Sequence, residues 1–230
     1  MGVAVTGIVS EFVGLPSPVV GFRARAGAGG HPCQGLYHRP ADARPRVAFI
    51  ATHYNVDFSE HYLASFMAER GFGFLGWNTR FRGNEAHFLL DHALAEIGVG
   101  VRWLREQAGA ERVVLLGNSG GGSLMAAYQS QATEPSVRPV TGMRPLPAVE
   151  DLPPGDLYVA LAAHSGRPEV LTAWLDASVT EGSSQAVSTS GRPECAASAM
   201  NASPGGRFSM AGSARIPATG VTLGSTAWDW

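Results

Sequence analysis

The segment Gly117-Asn118-Ser119-Gly120-Gly121 sets one serine among small residues, between two stretches of different period. Val113 to Leu116 is a continuous apolar run, as a strand buried on both faces requires. Ser119 to Gln131 reads as a helix. A serine on so tight a strand-to-helix turn is forced into a strained backbone conformation, with its hydroxyl exposed above the sheet. Gly117 and Gly121 leave room for closely approaching backbone. The Gly120 N–H and the positive end of the helix would face any oxyanion formed there. This is equipment for acyl transfer, and Ser119 is the candidate nucleophile.

A serine hydroxyl is a weak nucleophile until a base takes its proton. His164 is the one histidine downstream of Ser119, and Asp176 follows it. Both are weak candidates for base and acid. Asp151, Asp156 and Asp229 have no strand–turn context to support them. Upstream, His53 reads as a structural residue that orients its loop. His87 and Asp91 stand at i and i+4, where one helix would put them on a shared face, with His92 alongside. Two ligands are too few for a zinc site, and there is no HExxH or paired CxxC motif. No metal and no cofactor are expected. Gly27, Gly29 and Gly30 lack the third glycine of a phosphate loop, and no clear helix follows them.

Composition narrows the chemistry further. The chain has 230 residues, and its seventeen basic residues are all arginine. Without lysine there is no Walker P-loop, no Schiff-base catalysis and no Ser-Lys hydrolysis. A net charge of −2 argues against nucleic-acid and anionic-membrane partners. No apolar run reaches the length of a transmembrane helix. The first residues lack the basic start of a signal peptide. Two cysteines, Cys33 and Cys195, are too few for a disulfide framework. Together these features lead to an expected cytoplasmic location.

The elements that must position the serine follow an alternating pattern. Ile8–Val13, Val19–Arg25 and Gly35–His38 are short strand candidates punctuated by turns. Arg46–Ala51 and Phe72–Trp77 read as buried strands. His61–Arg70 reads as a helix stopped by Gly71. Leu89–Gln107 is a helix whose stripe is Leu94, Ile97, Val101 and Leu104. Leu157–Ala162 is a sixth strand, and 168–176 a short helix. Ala132–Pro154, rich in Pro, Thr and Ser, reads as a flexible connection. The expected fold class is α/β, a mostly parallel sheet with helices on both faces.

The strand order and the serine turn resemble the α/β-hydrolase superfamily over residues 1–180. In that resemblance Ser119 occupies the nucleophile elbow. Thr52-His53-Tyr54-Asn55 resembles the oxyanion loop after the third strand, so Tyr54 or Asn55 would share the oxyanion with Gly120. Asn78-Thr79-Arg80-Phe81-Arg82-Gly83 resembles the Arg-Gly loop after the fourth strand. The resemblance implies a serine esterase acting on a small-molecule acyl substrate. It also implies an acid after a seventh strand and a histidine after an eighth, in the order Ser, acid, His. His164 precedes Asp176, which reverses that order.

Those two strands should fall where the pattern fails. In residues 181–230, thirty-two of the fifty are Gly, Ala, Ser, Thr or Pro and five are Val, Leu, Ile or Phe. Such a segment buries little apolar area against its ordering entropy. It reads either as a natural disordered tail or as the out-of-frame product of a GC-rich gene. The expected organisation is a hydrolase core over 1–180, incomplete after the sixth strand, and a low-complexity tail over 181–230. A sheet ending there leaves an edge through which copies could associate. The rival functional reading is a truncated, inactive hydrolase or a hydrolase-fold binding protein.

Overall fold

The computed structural model describes residues 7–19, 33–138, 146–166 and 169–172. These all fall in one compact unit, Met1–Leu175. The tail over 181–230, Asp176, Cys195 and Asp229 lie outside the described residues, as does nearly all of the strand candidate Val19–Arg25.

Six strands form one sheet: β1 (Ile8–Leu15), β2 (Cys33–Pro40), β3 (Val47–Ala51), β4 (Gly73–Asn78), β5 (Arg112–Asn118) and β6 (Leu157–Leu161), in the order β1-β2-β4-β3-β5-β6. The β4–β3, β3–β5 and β5–β6 pairs are parallel, and β1–β2 and β2–β4 are antiparallel. The register aligns Tyr37, Leu75, Ile50, Leu115 and Tyr158 in one row across the sheet. Alternation along the strands then divides the core in two. Ile50, Leu75, Trp77 and Leu115 pack with Leu94, Ile97, Val101 and Leu104 of α2 (Leu90–Glu106), and with Leu124, Met125 and Tyr128 of α3 (Gly121–Thr133). Ala51, Phe74 and Leu116 instead pack with Phe58 and with Ala64 of α1 (Ala64–Glu69). Helices therefore cover both faces, as the sequence pattern required.

Two readings need correction. The helix expected to begin at His61 begins at Ala64, because His61 caps the preceding turn by accepting the Leu63 N–H on Nδ1 at 3.3 Å. His87 and Asp91 do not share a helix face. His87 ends a single 3-10 turn (Glu85–His87), and Phe88 is extended, so the chain changes direction before α2. His87 Nδ1 pairs with Asn84 Oδ1 at 2.8 Å instead. Among the described residues no group of three or more His, Cys, Asp or Glu could hold a metal ion.

A buried ion pair ties the loop after β4 to α2. Arg80 Nε meets Glu96 Oε1 at 2.5 Å, and the two side chains are 3% and 0% exposed. The Arg80 N–H donates to Glu96 Oε2 at 2.8 Å. Ser17 Oγ donates to Glu96 at 2.6 Å and accepts from Arg80 Nη2.

At the other end of the sheet Asp156 fastens β6 to β5. Its carboxylate accepts the Val113 N–H at 2.8 Å and pairs with Arg105 and Arg112 at 3.0 and 2.9 Å. Partial burial pushes its pKa up, but the Val113 and Arg112 hydrogen bonds and the Arg105 charge outweigh this and hold it below the ordinary value. A depressed folded-state pKa contributes stability that is present above the unfolded value and lost as pH falls through the folded one. Asp156→Asn should therefore destabilise the protein at pH 7 by about 1 kcal/mol. Its penalty should shrink steadily below about pH 4. Urea midpoints at pH 7 and pH 3 check both statements.

Candidate active site

β5 ends at Asn118 and α3 starts at Gly121, so Ser119 and Gly120 make the whole turn. Ser119 has φ 54, a left-handed conformation that a residue with a Cβ avoids. Holding it there costs about 1–3 kcal/mol, which the surroundings must supply. The bonds that do so are local and mutual. The Ser119 N–H donates to Leu161 O at 3.3 Å, and Ser119 O accepts the N–H groups of His164 and Gly122, each at 3.0 Å. Asn118 Nδ2 also donates to Leu161 O at 2.9 Å. The end of β6 thus clamps the turn from one side. Ser119 is half-buried, and among the described residues none hydrogen-bonds its hydroxyl.

The glycines are required by contact. A Cβ on Gly117 would lie 2.8 Å from Gly122 Cα and from Tyr158 Oη, and one on Gly121 would run into the backbone oxygen of Thr52. The start of α3 therefore lies directly against the end of β3. That contact brings the loop after β3 to the serine.

The loop itself is held by side chains. His53 Nδ1 accepts the N–H groups of Asn55 and Val56, each at 3.1 Å. The His53 ring lies tilted against Tyr54 at a centroid distance of 4.2 Å and against Phe58 at 5.4 Å. Farther along, Asn78 Oδ1 accepts the Phe58 N–H at 2.9 Å, while its Nδ2 donates to Asp57 and Ser59, each at 2.8 Å. Arg82 pairs with Asp57 at 2.7 Å, and the Gly83 N–H reaches Asn55 O at 2.8 Å. The loop after β4, Asn78 to Gly83, thereby braces the loop after β3.

Of the two expected loop donors, Asn55 has its N–H on His53 Nδ1 at 3.1 Å. Tyr54 and Gly120 are in contact range: a Cβ on Gly120 would collide with the Tyr54 ring. The structure brings Ser119, Gly120, Tyr54, His53 and the backbone of His164 together.

Two residues that sequence reasoning passed over also serve the site. His61 was read only as a helix residue, yet its Nε2 donates to Asn118 Oδ1 at 3.1 Å, 57 positions away. Asn78 was read only as part of a loop. Neither carries a local signal, because the partners are distant in sequence: Asn118 for His61, and Asp57, Phe58 and Ser59 for Asn78. Burial is the largest influence on His53 and His61 and lowers both pKa values; the charge of His164 adds to the effect at His53, while the Asn118 bond opposes it at His61. Both rings are therefore neutral at pH 7.

No protein-family model matches the chain, and no curated protein does. The chain is similar to solved structures of esterases and related hydrolases. Brefeldin A esterase, a bacterial homologue of human hormone sensitive lipase, is 17% identical over 55% of this chain and 36% of its own length, with a TM-score of 0.43. A cold-adapted esterase from an Arctic intertidal metagenomic library is 13% identical over 56% of this chain and 57% of its own, with a TM-score of 0.42. The siderophore hydrolase EstB from Aspergillus fumigatus is 16% identical over 64% and 42%, with a TM-score of 0.41. The chain thus spans from 36% to 57% of the length of these structures. Three of the five strand pairs among the described residues are parallel, and Ser119 and Gly120 alone join β5 to α3. Among the described residues no helix is long and apolar enough to cross a membrane.

Proposed function

We propose that the chain is a serine hydrolase acting on a carboxylic ester or related acyl substrate through an acyl-enzyme. The observation that carries this reading is the left-handed backbone of Ser119 at the β5–α3 turn, facing a loop whose shape is fixed by His53 and Asn78. Strain of this kind persists only where surrounding structure enforces it. The Ser119 oxygen would bond to the acyl carbon, and its proton would pass to a base. The N–H groups of Gly120 and Tyr54 would hold the oxyanion as the tetrahedral adduct forms. Collapse would release the alcohol with that proton, and water would then free the acid. By the family order the base and its acid belong to strands after β6. The weaker alternative is His164, whose N–H donates to Ser119 O at 3.0 Å, as base, with Asp176 as acid. Hydrolysis of a short-chain p-nitrophenyl ester that is lost in Ser119→Ala tests the reading; equal rates in both proteins would count against it.

A second reading is an inactive hydrolase or a hydrolase-fold binding protein. That no hydrogen bond engages the Ser119 hydroxyl among the described residues favours it. Without a base, the rate would fall to roughly 10³–10⁴ above the water reaction. A cytoplasmic location is proposed with either reading, in keeping with Cys33 as a buried free thiol.

The outer edge of β6 is the proposed route to self-association. Leu157 and Val159 are 56% and 42% exposed, unusual for a parallel strand. Sedimentation should show concentration-dependent association that Val159→Lys weakens. A monodisperse monomer from micromolar to near-millimolar concentration would contradict this.

A further inference from the structure

The tautomer of His53 is dictated by its neighbours. Two backbone N–H groups, of Asn55 and Val56, point at Nδ1. Nδ1 must therefore present its lone pair, and the ring proton sits on Nε2. Nε2 faces the serine turn: a Cβ on Gly120 would come within 2.6 Å of it. The ring is buried, 8% exposed, and fixed between Tyr54 and Phe58. Burial, reinforced by the nearby His164, also keeps it neutral.

A ring in this state has no lone pair on the side facing Ser119, so His53 is not the base. What it presents there is an N–H. We infer that His53 Nε2–H is a third donor to the acyl oxyanion, acting beside the Gly120 and Tyr54 N–H groups. The role rests on the esterase reading and adds a side-chain donor to it. The same imidazole would do two jobs: Nδ1 shapes the loop, and Nε2–H, which lies against Gly120, would reach the oxyanion. A neutral imidazole suits the second job, since it stabilises charge without carrying a proton that it would readily lose.

Two substitutions separate the jobs. In His53→Asn the amide oxygen can take the place of Nδ1, but nothing reaches the Nε2 position. In His53→Gln the amide nitrogen can reach the Nε2 position, but the Nδ1 acceptor is lost. Rates of labelling of Ser119 by a fluorophosphonate are compared, with thermal melts taken in parallel. The donor role expects His53→Asn to lose about a hundredfold and His53→Gln to retain clearly more. A merely structural His53 gives the opposite order, with Gln the worse and its melt the lower. That order, or equal rates in the two variants, overturns the role. Absence of labelling in the wild type overturns the esterase reading and the donor role with it, whereas labelled wild type with the reversed order overturns the donor role alone. Nitrogen chemical shifts of the ¹⁵N-histidine-labelled protein give a check that needs no variant. A protonated Nε2 on His53 at pH 7 is expected, and a protonated Nδ1 overturns the role.

Discussion

Glu96→Ala is expected to lower the unfolding free energy by about 3–5 kcal/mol, the usual consequence of leaving a buried charge without its partner. Glu96 is fully buried, and its carboxylate takes the Arg80 side chain, the Arg80 N–H and the Ser17 hydroxyl. Truncation would remove the acceptor that all three donors share. The backbone oxygen of Glu96 also accepts Trp77 Nε1 at 2.9 Å, so a shift of α2 here would disturb the largest buried side chain of β4. Set against a total stability of about 5–15 kcal/mol, the loss is a large fraction. Glu96→Gln should cost less, because one acceptor remains for the N–H or the hydroxyl. A urea titration gives both numbers from the midpoints if the slope is unchanged. A loss below about 1 kcal/mol for Glu96→Ala would mean that water reaches Arg80 and the pair is not sealed.

Gly121→Ala is expected to damage reactivity and stability together. The added Cβ would meet a backbone oxygen, that of Thr52, and a backbone atom at a strand end has no rotamer to escape into. Either α3 or the loop after β3 must move. Overpacking of this kind costs about 1–3 kcal/mol. The larger effect falls on chemistry, because the two displaced pieces are those that carry Ser119 and Tyr54. A displacement near 1 Å between reacting groups is worth about 10²-fold in rate. The expected result is a modestly lowered melt with at least a tenfold loss of serine labelling. Wild-type labelling in a folded Gly121→Ala protein would show that the contact between α3 and the β3 loop does not set the site geometry.

Much of the framework was legible because it repeats. Val113–Leu116 and Arg46–Ala51 are short apolar runs, and α2 carries its stripe at spacings of three and four, so strands and helices announce themselves. The turn at Ser119 was legible because small residues between an apolar run and a helical stretch mark a tight strand-to-helix junction. What was not legible depends on bonds between distant residues. The Asn55 N–H goes to the His53 ring two positions away, a local bond that depends on a loop shape set by Asn78, from the end of β4. His61 looked like the first residue of a helix because nothing near it in sequence reveals Asn118. Ser17, Arg80 and Glu96 belong to three separate segments and show no common period. His87 and Asp91 had helical spacing, but Phe88 between them is extended, and spacing is informative only while the helix continues.

An activated nucleophile at Ser119 is the proposal on which the esterase reading depends. Fluorophosphonate labelling of the full chain, read by intact mass, tests it most directly. One adduct per chain on the wild-type protein, mapped to the peptide containing Ser119 and missing from Ser119→Ala, is the expected result. A folded wild-type protein that takes up no label, or that labels equally well as Ser119→Ala, would contradict it.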